Sequence, residues 1–283
     1  MMYQAGLVLE GGGMKGMYTA GVLEFLLEQN VEFANCYAVS AGACHLCSFL
    51  SKQRGRMYRI SVDYLDDKRY CSVQSLLKTG DLFGADMCYH EIPDKLNPFD
   101  YDTFAKYQGN AYAVVTNIRT GQPEYLPMKD LRTDIVAVRA SASLPLVSRN
   151  VKIGGEYYLD GGISDAIPIR KAVADGNRKN LVVMTKEVGY RRKPVGHPEI
   201  FKLSYRKYPA VYEDMKNRHI MYNGTLDYLE QAKITGEAFV IRPKKASKIG
   251  RIEKDREKLT ALYHEGYEDA RRAYPELLEY FQK

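Results

Sequence analysis

The chain has 283 residues, 45% of them apolar and 27% charged, with 11 prolines and 23 glycines scattered along it. That composition excludes wholesale disorder and collagen-like or linker-like chains, and the length is near the upper limit for one hydrophobic core. The net charge of +6 is uneven: residues 186–283 hold 21 basic and 15 acidic side chains, so the whole excess lies in the last third.

Gly6 to Leu9 is a short apolar run ended by Glu10 and three glycines, the pattern of a buried strand feeding a tight turn. From Met17 to Leu27 apolar residues recur with a helical period, Cys36 to Val39 is a second short strand, and Ser40 to Leu50 has helix-like character. Strand, glycine-rich turn, helix, strand, turn and helix open an α/β fold with a parallel sheet. Residues 54–108 are less periodic and read as a cap or irregular helical insertion. Ala111 to Ile118 and Glu124 to Leu126 form a hairpin pattern around Arg119-Thr120-Gly121, and Leu131 to Arg139 predicts a helix. Val151 to Ile153 and Glu156 to Leu159 flank Gly154-Gly155 as a second hairpin. Pro168 to Ala174 suits a helix with proline near its first position, and Leu181 to Met184 a third buried strand. Beyond residue 190 helices are expected over 208–233 and 252–281, the latter broken near Ala273-Tyr274-Pro275, with a strand at Ala238 to Ile241 between them.

The longest nearly apolar run, Ala38 to Leu50, is 13 residues long, and a membrane span needs roughly 20. The start has no basic region ahead of an apolar one, so no secretory signal is expected and the cytoplasm is the default compartment. Five cysteines at irregular spacing argue against a disulfide scaffold. Cys44 and Cys47 form a C-x-x-C with no second pair at zinc spacing, inside an apolar helix-like run, so burial rather than metal or redox use is expected. No zinc-finger or RNP-type motif supports nucleic-acid binding.

Three stretches carry chemistry. Gly11-Gly12-Gly13-Met14-Lys15-Gly16 lies between a strand and a helix, where bare amides and a helix N-terminus favour negative charge and Lys15 adds a full positive one. Ala38-Val39-Ser40-Ala41-Gly42 places a serine at a strand end between small residues, as in a nucleophile elbow, with Ala38 in place of the usual first glycine. Asp160-Gly161-Gly162 follows a strand, so its carboxylate can enter a cleft unobstructed. A serine needs a base. His45, five residues after Ser40, should face away on a helix, and His90, His197, His219 and His264 lie outside any motif. Asp160 is therefore the expected base, with Asp165 as its rival at a helix start, and Ser141 and Ser143 are structural.

These three stretches, with Val114-Val115-Thr116-Asn117-Ile118-Arg119-Thr120-Gly121 and Ala140-Ser141-Ala142-Ser143-Leu144-Pro145, resemble a patatin-like phospholipase over about residues 5–187. The resemblance implies a three-layer α/β sandwich with a mainly parallel central sheet. A catalytic domain would cover 1–187 with a helical cap over 54–108, and a basic, mostly helical extension at 188–283 would pack on the core. It implies a lipid acyl hydrolase with Ser40 as nucleophile, Asp160 as base, and Gly11, Gly12, Gly13 and Lys15 around the oxyanion. No metal or organic cofactor is expected.

Two other classes stay open. Gly11-x-Gly13-x-x-Gly16 also fits a dinucleotide fingerprint, with Glu32 near the distance of a ribose-binding acid. A non-catalytic lipid-binding module is the other. The last third also carries ten of the 23 tyrosines; with its charge, that predicts reversible docking of residues 190–283 on anionic membranes.

Overall fold

The computed structural model describes residues 2–282. Strand β1 (Met2–Leu9) ends in the glycine turn, α1 (Met17–Glu28) returns the chain to β2 (Glu32–Val39), and α2 (Ala41–Leu50) follows. The insertion after α2 is helical, with α3 (Arg56–Val62), α4 (Val73–Thr79), a π-helical segment at Met87–Leu96 and α5 (Tyr101–Ala105). Then come β3 (Asn110–Asn117), β4 (Pro123–Pro127), α6 (Leu131–Ser141), β5 (Val151–Ile153), β6 (Glu156–Asp160), α7 (Ile169–Ala174) and β7 (Asn180–Val183). The last third contributes α8 (Glu199–Ser204), α9 (Pro209–Ile234), β8 (Ala238–Ile241) and α10 (Arg256–Gln282).

The sheet order is β5-β6-β3-β2-β1-β7-β8, with β4 on β3. Strands β3, β2, β1, β7 and β8 are mutually parallel, while β4 and β6 run antiparallel to β3. Alternation along β1 sends Leu7 and Leu9 into a core with Met17, Leu23 and Phe33, and Val8 into a second core with Ile169, Tyr222 and Leu229. Both faces are covered, as the unbroken apolar run in β1 requires. The chain lays β2 and β3 on one side of β1, then crosses to lay β7 and β8 on the other. The loops at the carboxyl ends of β1 and its neighbours therefore open a crevice at a topological switch point.

Helix α10 packs along α1 at very short range. A Cβ on Gly266 would stand 2.0 Å from the Tyr18 carbonyl oxygen, and one on Gly21 would stand 1.9 Å from that of Tyr263. The Tyr18 hydroxyl donates to Asp269 at 2.8 Å, and Phe25 meets Tyr267 and Tyr274 edge-on. This packing corrects the expected break at Ala273-Tyr274-Pro275. The helix runs unbroken through Pro275, because Leu277 is buried and Phe281 stacks on Tyr3 beyond it. A proline removes one helical hydrogen bond, and the contacts on both sides hold the axis. The tyrosines of the last third are also largely spent on packing: Tyr222 is fully buried, and the Tyr280 hydroxyl accepts from the Asn180 amide at 2.9 Å.

Gly266→Val should lower stability by about 2–3 kcal/mol, because the backbones must separate. Denaturant unfolding checks this, with the exposed Arg271→Ala expected to change it by less than about 0.5 kcal/mol.

Candidate active site

The two candidate reacting groups meet because β3 lends one edge to two strands. Strand β4 covers one edge of β3 over Tyr112 to Thr116. On the other edge, β2 pairs as far as Val39 opposite Val114, and β6 ends with Asp160 opposite Val115. The two strands thus arrive head to head, and the residues at their ends, Ser40 and Asp160, line one cleft.

Ser40 has φ 55° and ψ −125°, a left-handed conformation rare outside glycine, with a cost on the order of 1–3 kcal/mol. The turn holds because the Ser40 amide donates to Ser141 Oγ at 2.9 Å, and that hydroxyl donates to the Val114 carbonyl at 2.7 Å. The same segment fixes the other partner, since the Asp160 amide donates to the Ser143 carbonyl at 2.8 Å. Gly161 is required by closeness, because a Cβ there would stand 2.1 Å from the Val114 oxygen.

Asp160 is 2% exposed. Its Oδ1 accepts from the Gly162 amide at 2.7 Å, while the buried Oδ2 has no hydrogen-bond partner of ordinary geometry. Burial pushes its carboxyl above the usual range; the Ser40 hydroxyl, Arg218, the Gly162 amide and Arg251 pull it back. The result is an oriented carboxylate with one oxygen open. Among the described residues the amides of Gly12 and Gly13 donate to no carbonyl or side chain, and both glycines line the cleft.

The family model of patatin-like phospholipases matches residues 7–173. The chain belongs to the patatin-like phospholipase family. A second family model, a domain of unknown function, matches 208–282. The uncharacterized protein YjjU of Escherichia coli is 33% identical over 185 residues, 63% of this chain and 51% of that protein, so the match spans about half of YjjU. The probable lipid hydrolase 463L of invertebrate iridescent virus 6 is 23% identical over 63% of this chain and 66% of its own. The solved structure of VipD from Legionella pneumophila is 14% identical, with a TM-score of 0.47 over 95% of this chain and 66% of that one.

In this patatin-like protein the rival base, Asp165, is occupied elsewhere: its Oδ2 accepts from the Tyr125 hydroxyl at 2.7 Å, and it lines neither cavity at Ser40. Burial pushes its carboxyl up to about 6. His45 lies against Gly16 on the wall of an apolar cavity, and burial pulls its imidazole down to about 4, so it is neutral at pH 7. Lys15 is half-buried with its ammonium 3.4 Å from the Ser247 carbonyl, outside the cleft walls. Glu32 starts β2 opposite Met2, whereas the glycine turn follows Leu9, opposite Ala38. At about 3.3 Å per residue it stands roughly 20 Å from the turn, too far for a shared nucleotide. The Cys47 thiol donates to the Ala43 carbonyl within α2.

Sequence reasoning missed four cations of the cleft, Lys186, Arg192, Arg218 and Arg251. Arg218 donates through Nε to the Gly162 carbonyl, beside the candidate base. No motif surrounds them, and only the fold brings them to Ser40. The apolar cavity on the other side has a volume of about 160 Å³ and includes Met14, Ile60, Phe83, Tyr89 and Ile92 from the glycine turn and the cap.

Ser141→Ala should lower kcat by about tenfold with little change in KM, since the elbow loses the hydroxyl that orients Ser40. The unpaired Ser40 amide and Val114 carbonyl should also cost about 1–3 kcal/mol of stability in denaturant unfolding.

Proposed function

We propose that the chain is a serine hydrolase of lipid acyl esters that works through a Ser40–Asp160 dyad. The observation that carries this reading is the strained Ser40 at the end of β2, in one cleft with a buried carboxylate that keeps Oδ2 open. The family supports the reaction class, and the iridescent-virus relative is described as a probable lipid hydrolase.

The acyl carbonyl sits with its oxygen at the Gly12 and Gly13 amides and its chain in the apolar cavity. Ser40 Oγ attacks the carbonyl carbon while Asp160 Oδ2 takes the hydroxyl proton. The tetrahedral oxyanion collapses, the C–O bond to the alcohol breaks, and that alcohol leaves with the proton from Asp160. Water then attacks the acyl-enzyme, giving its proton to Asp160, and the fatty acid departs as Ser40 is restored. Each preorganised oxyanion donor is worth roughly 3–4 kcal/mol of barrier. Lys15 favours the oxyanion by charge from outside the cleft, so Lys15→Ala lowers turnover without abolishing it. The positive excess of the last third supports reversible contact with anionic lipid surfaces that salt weakens. No helix among the described residues is long and apolar enough to cross a membrane.

Purified protein should hydrolyse a short-chain acyl ester, and Ser40→Ala and Asp160→Asn should each lose at least about a thousandfold in kcat/KM. Retained turnover in Ser40→Ala would overturn the assignment of the nucleophile.

The pH profile follows from the environment of Asp160. Its carboxyl must be ionised to act, and burial raises it above 3.8, so kcat/KM should fall as pH drops through a midpoint above that value. Arg218 favours the ionised form. Arg218→Gln should therefore move the acid limb to higher pH, and a limb at an unchanged position would separate Arg218 from the base.

A further inference from the structure

The cleft beside Asp160 holds positive charge that the chain does not neutralise. Lys186, Arg192, Arg218 and Arg251 line it with two carboxylates, Glu10 and Asp160. None of the four cations forms an ion pair among the described residues. Glu10 is already engaged, with Oε2 accepting from the Thr185 amide at 2.7 Å and hydroxyl at 3.1 Å and Oε1 from the Tyr222 hydroxyl. Buried Arg192 Nε has no acceptor. Burial first, and neighbouring cations after it, pull Lys186 down to about 8 and Arg218 to about 9. An anion entering the cleft relieves all of this at once.

The cleft is also hostile to a cationic headgroup. Among the described residues Tyr190 is the one aromatic side chain that lines it, and Lys186 already sits over that ring at 5.1 Å, while Arg192 covers the neighbouring Tyr222 at 4.2 Å. Ser40, Gly13 and Leu144 line both this cleft and the apolar cavity. An ester at Ser40 with its acyl chain in the apolar cavity therefore places its alcohol part among the cations.

We propose that Lys186, Arg192, Arg218 and Arg251 form a headgroup subsite that selects acyl esters whose alcohol part carries a net negative charge, such as anionic phosphoacylglycerols, over zwitterionic and uncharged ones. The proposal rests on the hydrolase reading of Ser40. It gives the last third a role in substrate choice: Arg218 comes from α9 and Arg251 from the segment between β8 and α10. The Arg251 carbonyl accepts from the Met14 amide at 3.0 Å, which ties that segment to the glycine turn.

The test uses dihexanoyl esters kept monomeric below their micelle thresholds, so that membrane contact plays no part: phosphatidylglycerol, phosphatidylcholine and diacylglycerol. Wild-type kcat/KM should favour phosphatidylglycerol over each of the other two by at least about tenfold, and Arg251→Gln or Arg192→Gln should each narrow that ratio by roughly tenfold. Arg251 is exposed, so its variant should fold; Arg271→Gln, the same charge change on the outer side of α10, should leave the ratio as it is. Equal handling of the three esters by the wild type, or a preference that neither variant narrows, overturns the subsite. Inorganic phosphate should compete with phosphatidylglycerol; stimulation or non-competitive inhibition would make the cleft a free-anion regulatory site and overturn the headgroup assignment. Binding of the same esters to the Ser40→Ala protein by calorimetry separates the two readings. Tighter binding of phosphatidylglycerol, with no turnover of any ester by the wild type, would keep the subsite and refute the hydrolase.

Discussion

The arrangement depends on one edge of β3. Parallel β2 pairs along it up to Val114, and antiparallel β6 takes over at Val115. Because the two strands run toward each other on a shared edge, their ends cannot be apart. Ser40 and Asp160 are brought together by backbone ladder bonds rather than by contact between their own side chains. Ser141 and Ser143 then lock the junction from the end of α6, one through its hydroxyl and the other through its carbonyl. Such a site is preorganised by the sheet, and the energy that offsets the strained Ser40 backbone comes from the whole core.

The electrostatics of the cleft balance two opposed demands. A carboxylate acting alone as base gains from burial, which brings its pKa nearer to neutral pH. A buried carboxylate with no compensating partner would stay protonated and do nothing. The Gly162 amide, Arg218 and Arg251 favour the ionised form without occupying Oδ2. Arg218 and Arg251, which favour ionised Asp160, also line the cleft proposed to take the alcohol part of the ester. On the proposed reading, base strength and headgroup preference are therefore coupled through Arg218.

Much of the fold and the candidate dyad was legible because the signals are local. The glycine turn, the serine between small residues and the Asp-Gly-Gly box each declare a backbone shape within five or six residues. The strands at Gly6 to Leu9 and Leu181 to Met184 were legible as apolar runs, although β1 and β2 begin several residues earlier, where the pattern is mixed. The cations at Lys186, Arg192, Arg218 and Arg251 were illegible for the opposite reason. They sit on three separate segments, the loop between β7 and α8, helix α9 and the segment between β8 and α10, of a basic third in which any lysine or arginine reads as a solvated charge. Pro275 misled in the same way: the local rule breaks a helix there, and packing on α1 through Gly21 and Gly266 overrides it. Tyrosines of the last third also pack in ways that composition does not show: Tyr274 meets Phe25 of α1 edge-on, and Tyr280 packs on Phe239 of β8.

The central claim is that Ser40 is a nucleophile activated by Asp160, and covalent labelling tests it most directly. A fluorophosphonate should add once per chain, peptide mapping should place the adduct on Ser40, and the labelling rate should fall by orders of magnitude in Asp160→Asn. An unlabelled chain, an adduct on another serine, or a rate indifferent to Asp160 would contradict the account.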